Sequence, residues 1–133
     1  MNIVDEIATL KKRYNLQIPD NFIQFMKNKK NTCIINVPII IEGEEYIIGS
    51  FITVDEKMNG SDLYKRYMMC PDETAEYLAF ACGFDNDEFS IKVKGDDIGG
   101  IYHIDFSDEE NIRIKKIFNT FFDFEQFIKR EVK

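Results

Sequence analysis

Apolar residues recur along this chain with two periods, and the switch between them separates helical ends from an extended middle. Ile3, Ile7, Leu10 and Tyr14 are spaced by four, three and four residues, which puts them on one face of a first helix. Lys11, Lys12 and Arg13 follow where the negative pole of that helix favours cations. After a break at Asn15-Leu16-Gln17, Ile18-Pro19-Asp20 opens a second helix, because proline's missing N–H is not needed at a first helical position. Phe22, Phe25 and Met26 form its buried stripe, and it ends in the basic run near Lys30.

From Thr32 the pattern turns β-branched. Cys33–Ile41 reads as a strand, Glu42-Gly43-Glu44 as a turn and Glu45–Val54 as its partner. Residues 55–76 are polar and ambiguous, and the best helix start within them is Ser61-Asp62. Three more strands follow, Tyr77–Cys82, Glu88–Lys94 and Gly100–Phe106, joined by the acidic loops Gly83–Asp87 and Gly95–Gly99. In the last of these Tyr102, Ile104 and Phe106 alternate with Ile101, His103 and Asp105, as in a sheet with one covered face. Thr120 and Asp123 come close to a capping box, and Phe121, Phe124, Phe127 and Ile128 form the apolar face of a closing helix.

The prediction is a single α+β domain over residues 1–133, with an antiparallel sheet of about five or six strands flanked by N-terminal helices and a C-terminal helix. Its core should contain Ile7, Leu10, Phe22, Phe25, Phe80, Tyr102, Phe121 and Phe124. A chain of 133 residues with 44% apolar content needs no metal or disulfide to support that core. Cys33, Cys70 and Cys82 are odd in number and lack a C-x-x-C pair, so they read as buried thiols of a reducing compartment. Asp5 and Glu6 interrupt the N-terminus, which therefore does not resemble a signal peptide, and the run Val37–Ile41 is too short to span a bilayer. The expected location is the cytoplasm.

Charge changes the picture most. Residues 1–30 and residues 111–133 each carry six Lys/Arg against three Asp/Glu, whereas residues 31–110 carry five against eighteen. The middle is thus at −13, and the two ends offset it to the net −7. Such a block either keeps a small protein soluble or attracts a cationic partner. A nucleic-acid partner fits poorly, because the bases sit at the helical ends rather than in one stripe.

Catalytic patterns are missing from the sequence. His103 is the sole histidine, no ligand spacing supports zinc, and no nucleophile elbow is present. Gly95-x-x-x-Gly99-Gly100 encloses two aspartates, the wrong charge for a phosphate cradle, and Asp85-Asn86-Asp87-Glu88 lacks the EF-hand spacing. Close carboxylate pairs arise by chance among so many acids, so they carry no signal for acid–base hydrolysis. No enzyme, metal or cofactor is expected.

Several segments, taken in order, resemble the SUKH superfamily of bacterial immunity proteins related to fungal cell-wall assembly regulators. Ile18–Met26 is similar to its Leu-Pro-x-x-aromatic-x-x-Phe-Leu helix start, and Tyr77–Phe84 to its Phe-Ala strand with a following acidic loop. Phe89–Val93, Gly99-Gly100-Ile101-Tyr102 and Ile117–Phe124 continue the match across nearly the whole chain. The resemblance implies a non-enzymatic protein that neutralises a toxin domain, commonly a nuclease, and a basic nuclease would suit the acidic middle. An intracellular adaptor of the same fold, unrelated to any toxin, stays open as the alternative. The docking face is expected at Glu42, Glu44 and Glu45 around one turn, Asp85, Asp87 and Glu88 around a loop, and Asp96 and Asp97 in another, with Tyr46 and Phe84 as aromatic anchors.

Overall fold

The computed structural model describes residues 3–27, 34–52, 54–55, 60–61, 74–108 and 110–131. Helices α1 (Ile3–Tyr14) and α2 (Asp20–Lys27) lead into β1 (Ile34–Ile41) and β2 (Glu44–Phe51). A small ladder, β3 (Val54–Asp55) with β4 (Gly60–Ser61), precedes β5 (Tyr77–Cys82), β6 (Asp87–Lys92), β7 (Ile101–Asp105) and β8 (Arg113–Phe118), and α3 (Phe121–Glu131) closes the chain. The main sheet has the order β1-β2-β5-β6-β7-β8, antiparallel throughout. This is the predicted α+β arrangement. Cys33, Cys70 and Asp62 onward in the expected short helix lie outside the described residues, while Ser61 falls in β4 and Cys82 is a half-buried thiol outside any disulfide.

Local chemistry sets the element ends. Asn15 takes the left-handed conformation (φ 56°) after α1, and the Leu16 N–H returns to the Lys11 carbonyl at 3.2 Å. The Gln17 N–H then bonds to the Val93 carbonyl at 2.8 Å, which fastens the helix connection to the sheet. Pro19 stands immediately before α2 and its carbonyl accepts the Ile23 N–H at 3.2 Å. At α3 the Thr120 hydroxyl oxygen accepts the Asp123 N–H at 3.1 Å, the cap expected from the sequence.

Helices and sheet meet through phenylalanine. A bulge between Ala79 and Ala81 adds Phe80 to β5, so that Leu78, Phe80 and Ala81 are all buried. The Phe80 ring lies 5.6 Å from Phe22 on α2 and 5.2 Å from Phe124 on α3, both nearly edge-on. Phe25 extends the cluster to Phe51 at 5.4 Å and Phe121 at 5.2 Å. Edge-to-face contacts of this kind add to the area term for each ring.

Two expectations need correction. Tyr102 is only half-buried; its strand neighbours Ile101 and His103 are the buried ones. It shares the other side of the sheet with Tyr77, ring to ring at 5.0 Å, and with Lys92, whose ammonium lies 4.6 Å from the Tyr77 ring centre and 5.9 Å from that of Tyr102. Its hydroxyl is bonded to Asp97, which Lys116 also holds, and Lys92 is buried beneath the two rings, so Tyr102 caps a polar contact and not the apolar core. The second correction concerns β8, which the apolar pattern did not mark. It is an edge strand of sequence RIKKIF in which only Ile117 is buried, and such charged edges resist pairing with another sheet.

Phe124→Ala should destabilise the protein by about 3–5 kcal/mol in urea titrations, because it empties a fully buried ring site. Phe122→Ala, two residues away and 57% exposed, should stay within about 0.5 kcal/mol of the parent.

Candidate functional site

In a flat sheet, β1 and β8 would stand about 24 Å apart across five strand spacings. Yet the Lys115 ammonium on β8 reaches the Glu42 carboxylate, in the β1–β2 turn, at 2.8 Å. The hairpin therefore curls over the sheet, and the space beneath it is a groove of about 530 Å³. Tyr46, Phe84, Asp85, Asp87, His103 and Arg113 are among the residues that line it.

The floor is an aromatic stack. The His103 ring lies 4.6 Å from that of Tyr46 and 5.1 Å from that of Phe89. One Asp87 carboxylate oxygen meets His103 Nε2 at 2.6 Å, and the other accepts the Asp85 N–H at 2.9 Å. A Cβ at position 83 would lie 2.2 Å from the Asp87 carboxylate, so glycine there leaves the carboxylate in place. Tyr46 donates its hydroxyl to Glu44 at 2.6 Å; burial, reinforced by that bond, pushes the phenol up to about 12, so it remains a neutral donor.

Two loops form the rim. The Phe106 N–H bonds to the Asn86 carbonyl at 3.0 Å, Asn86 Nδ2 to the Phe106 carbonyl at 3.2 Å, and the Ser107 hydroxyl to the Asp85 carbonyl at 3.1 Å. The β5–β6 loop is thereby locked to the β7–β8 loop, which fixes Phe84 and Asp85 in place. The tip of the Phe84 ring rests against Gly49, where a Cβ would come within 3.0 Å. Asp105 accepts the Ser107 hydroxyl at 2.6 Å and backbone N–H at 2.8 Å, and Arg113 at 2.6 Å. The Ser107 bonds, then Arg113, hold its carboxyl below the usual range.

The predicted site residues divide between the two ends of the strands. Glu44, Glu45, Tyr46, Phe84, Asp85 and Asp87 meet in the groove. Glu42 sits at the turn above it, held against Lys115, and Glu88 is half-buried beside it on β6, opposite Ile104. Asp96 and Asp97 occupy the β6–β7 loop at the far end of the strands, where Asp97 binds the Tyr102 hydroxyl and Lys116. The surface expected to unite three acidic clusters thus unites two.

Sequence reasoning missed the opposite wall, made by Asp105, Arg113, Ile114 and Lys115. The signal available was the alternation of charge and isoleucine in β8. It also missed that Ile47 (38% exposed) and Ile114 (39%) open into this groove beside the expected anchor Phe84 (64%). These three are half of the six large hydrophobic side chains exposed among the described residues.

Among the described residues the structure defines a curled antiparallel sheet packed under three helices, with a groove between its first hairpin and its last strand. A family model described as SUKH_6, SMI1-KNR4 cell-wall, matches residues 4–124, and the chain belongs to this family. Neither a curated protein nor a solved structure matches it. Among the described residues no helix is long and apolar enough to cross a membrane, and no three His, Cys, Asp or Glu side chains are grouped to hold a metal ion.

Asp105 and Asp97 both have folded-state carboxyls lowered below their ordinary value of about 3.9. Their stabilisation is fully present above about pH 4 and is lost as pH falls through the lower folded values. Urea midpoints measured from pH 6 to pH 2 should fall steeply below pH 4, and less steeply in Asp105→Asn. Gly83→Ala should displace the Asp87 carboxylate and cost about 1–3 kcal/mol, with the His103 ring resonances shifting in NMR spectra.

Proposed function

We propose that this SUKH-family chain is a non-enzymatic cytoplasmic immunity protein whose groove docks and neutralises a basic toxin domain, such as a nuclease. The observation that carries the reading is the combination of apolar and acidic surface in that groove. Ile47, Phe84 and Ile114 are exposed beside Glu44, Glu45 and Asp85, and no ion pair among the described residues neutralises these three acids. Exposed aromatic and aliphatic anchors ringed by charge are what a protein interface requires, with the charges setting the encounter rate. A rigid rim suits the same task, since a preorganised surface loses little entropy on docking.

The Asp87–His103 pair supports binding rather than chemistry. Both side chains are about nine-tenths buried, and the imidazole is packed between two rings. Its carboxylate-bound nitrogen faces Asp87 and not the groove opening, and no serine, threonine or cysteine is among the groove's lining residues.

An immunity role requires a toxin domain encoded beside this gene, and that domain is the partner for the test. Reversing Glu45 and Asp85 to Lys should slow association at least tenfold at low salt, with the difference shrinking as salt rises, and should abolish protection of cells expressing the toxin. Reversing Asp96, at the far end, should change association less than twofold. Equal effects at the two ends, or none at either, would overturn the groove as the docking face. The lack of a toxin gene beside it would favour the adaptor role.

A further inference from the structure

The groove combines three properties on an acidic surface. Its lining carries an exposed aromatic ring, Phe84, immediately beside the Asp85 carboxylate. Its walls are partly apolar through Ile47 and Ile114. It also already holds a guanidinium, because Arg113 Nη2 meets Asp105 Oδ2 at 2.6 Å. That pair and the Lys115–Glu42 pair use up the basic side chains of the lining, leaving Glu44, Glu45 and Asp85 to act on a visitor.

These features discriminate between the two cationic side chains. A lysine ammonium is compact and strongly hydrated, and it is best satisfied by open, wet carboxylates. A guanidinium is planar and weakly hydrated, stacks on aromatic faces and offers a fork of N–H donors to a carboxylate. The half-apolar groove penalises the first and accommodates the second.

We infer that the groove selects arginine: a partner's guanidinium lies on the Phe84 ring and donates to the carboxylates of Glu45 and Asp85. The inference rests on the docking reading above and names its determinant. It requires the ring to stay where Gly49 and the locked β5–β6 loop hold it.

The probes are two blocked five-residue peptides, one with two arginines between glycines and the other with lysines in their place. Each is titrated into isotope-labelled protein and followed by NMR. The arginine peptide should shift the amides of Glu45, Phe84 and Asp85 and bind at least about fivefold more tightly than its lysine counterpart. Phe84→Leu, at a position 64% exposed, should keep the fold and bring the arginine peptide down to the lysine level. Equal affinities, a preference that survives Phe84→Leu, or no groove shifts at millimolar peptide would overturn the inference. The two readings fail separately. If the peptides bind alike while Glu45 and Asp85 reversal still slows association with the toxin domain, arginine selection falls and docking stands. If reversal has no effect on association, the docking reading falls whatever the peptides do.

Discussion

The fold is organised around one ring. Phe80 enters the sheet through a bulge, and from that extra position it touches Phe22 of α2 and both Phe121 and Phe124 of α3. Along a regular strand Leu78 and Phe80 share a face and Ala81 would turn to the other; the extra residue lets all three be buried, with Phe80 as the common ring on which the helices close. The cluster gathers residues far apart in sequence, so it also fixes how the two ends of the chain meet. Both helical ends are net basic, yet they are held by ring contacts and not by charge.

The groove depends on that anchoring at one remove. The helices cover the middle of the sheet, and β2 pairs with β5 only at Ser50 and Phe51, so the rest of the first hairpin is released to curl. What holds the curl is chiefly the stack of Tyr46, His103 and Phe89. The Glu42–Lys115 pair is exposed at both ends and adds little, as surface pairs do. Its value is positional, since it removes a cation from the groove's balance. The result is a concavity between a hairpin tip and an edge strand, with acid on one wall and paired ions on the other.

Much of this was legible from the chain. The three helical faces, the cap at Thr120, the left-handed stop after α1 at the foreseen break, and five of the six main strands follow from periodicity and turn chemistry. Those signals are local, so they survive without tertiary context. Tyr102 failed as a core residue because alternation shows which residues share a face but not which face the helices cover. The strand β8 was invisible for a related reason: an edge strand buries little, so nothing in its pattern is strongly apolar.

For the site, the sequence by itself determined the ingredients, an acidic middle, two aromatic neighbours and a solitary histidine, because composition and adjacency are written along the chain. Tertiary structure alone decided which of them meet. The turn at Glu42 and the loop at Asp85 converge because the hairpin curls, while Asp96 and Asp97 are carried to the other end by the direction of β6. His103 became a groove floor through partners 16 and 57 positions away, Asp87 and Tyr46. Register and curvature set those distances, and both arise from pairing across strands, which no local pattern encodes.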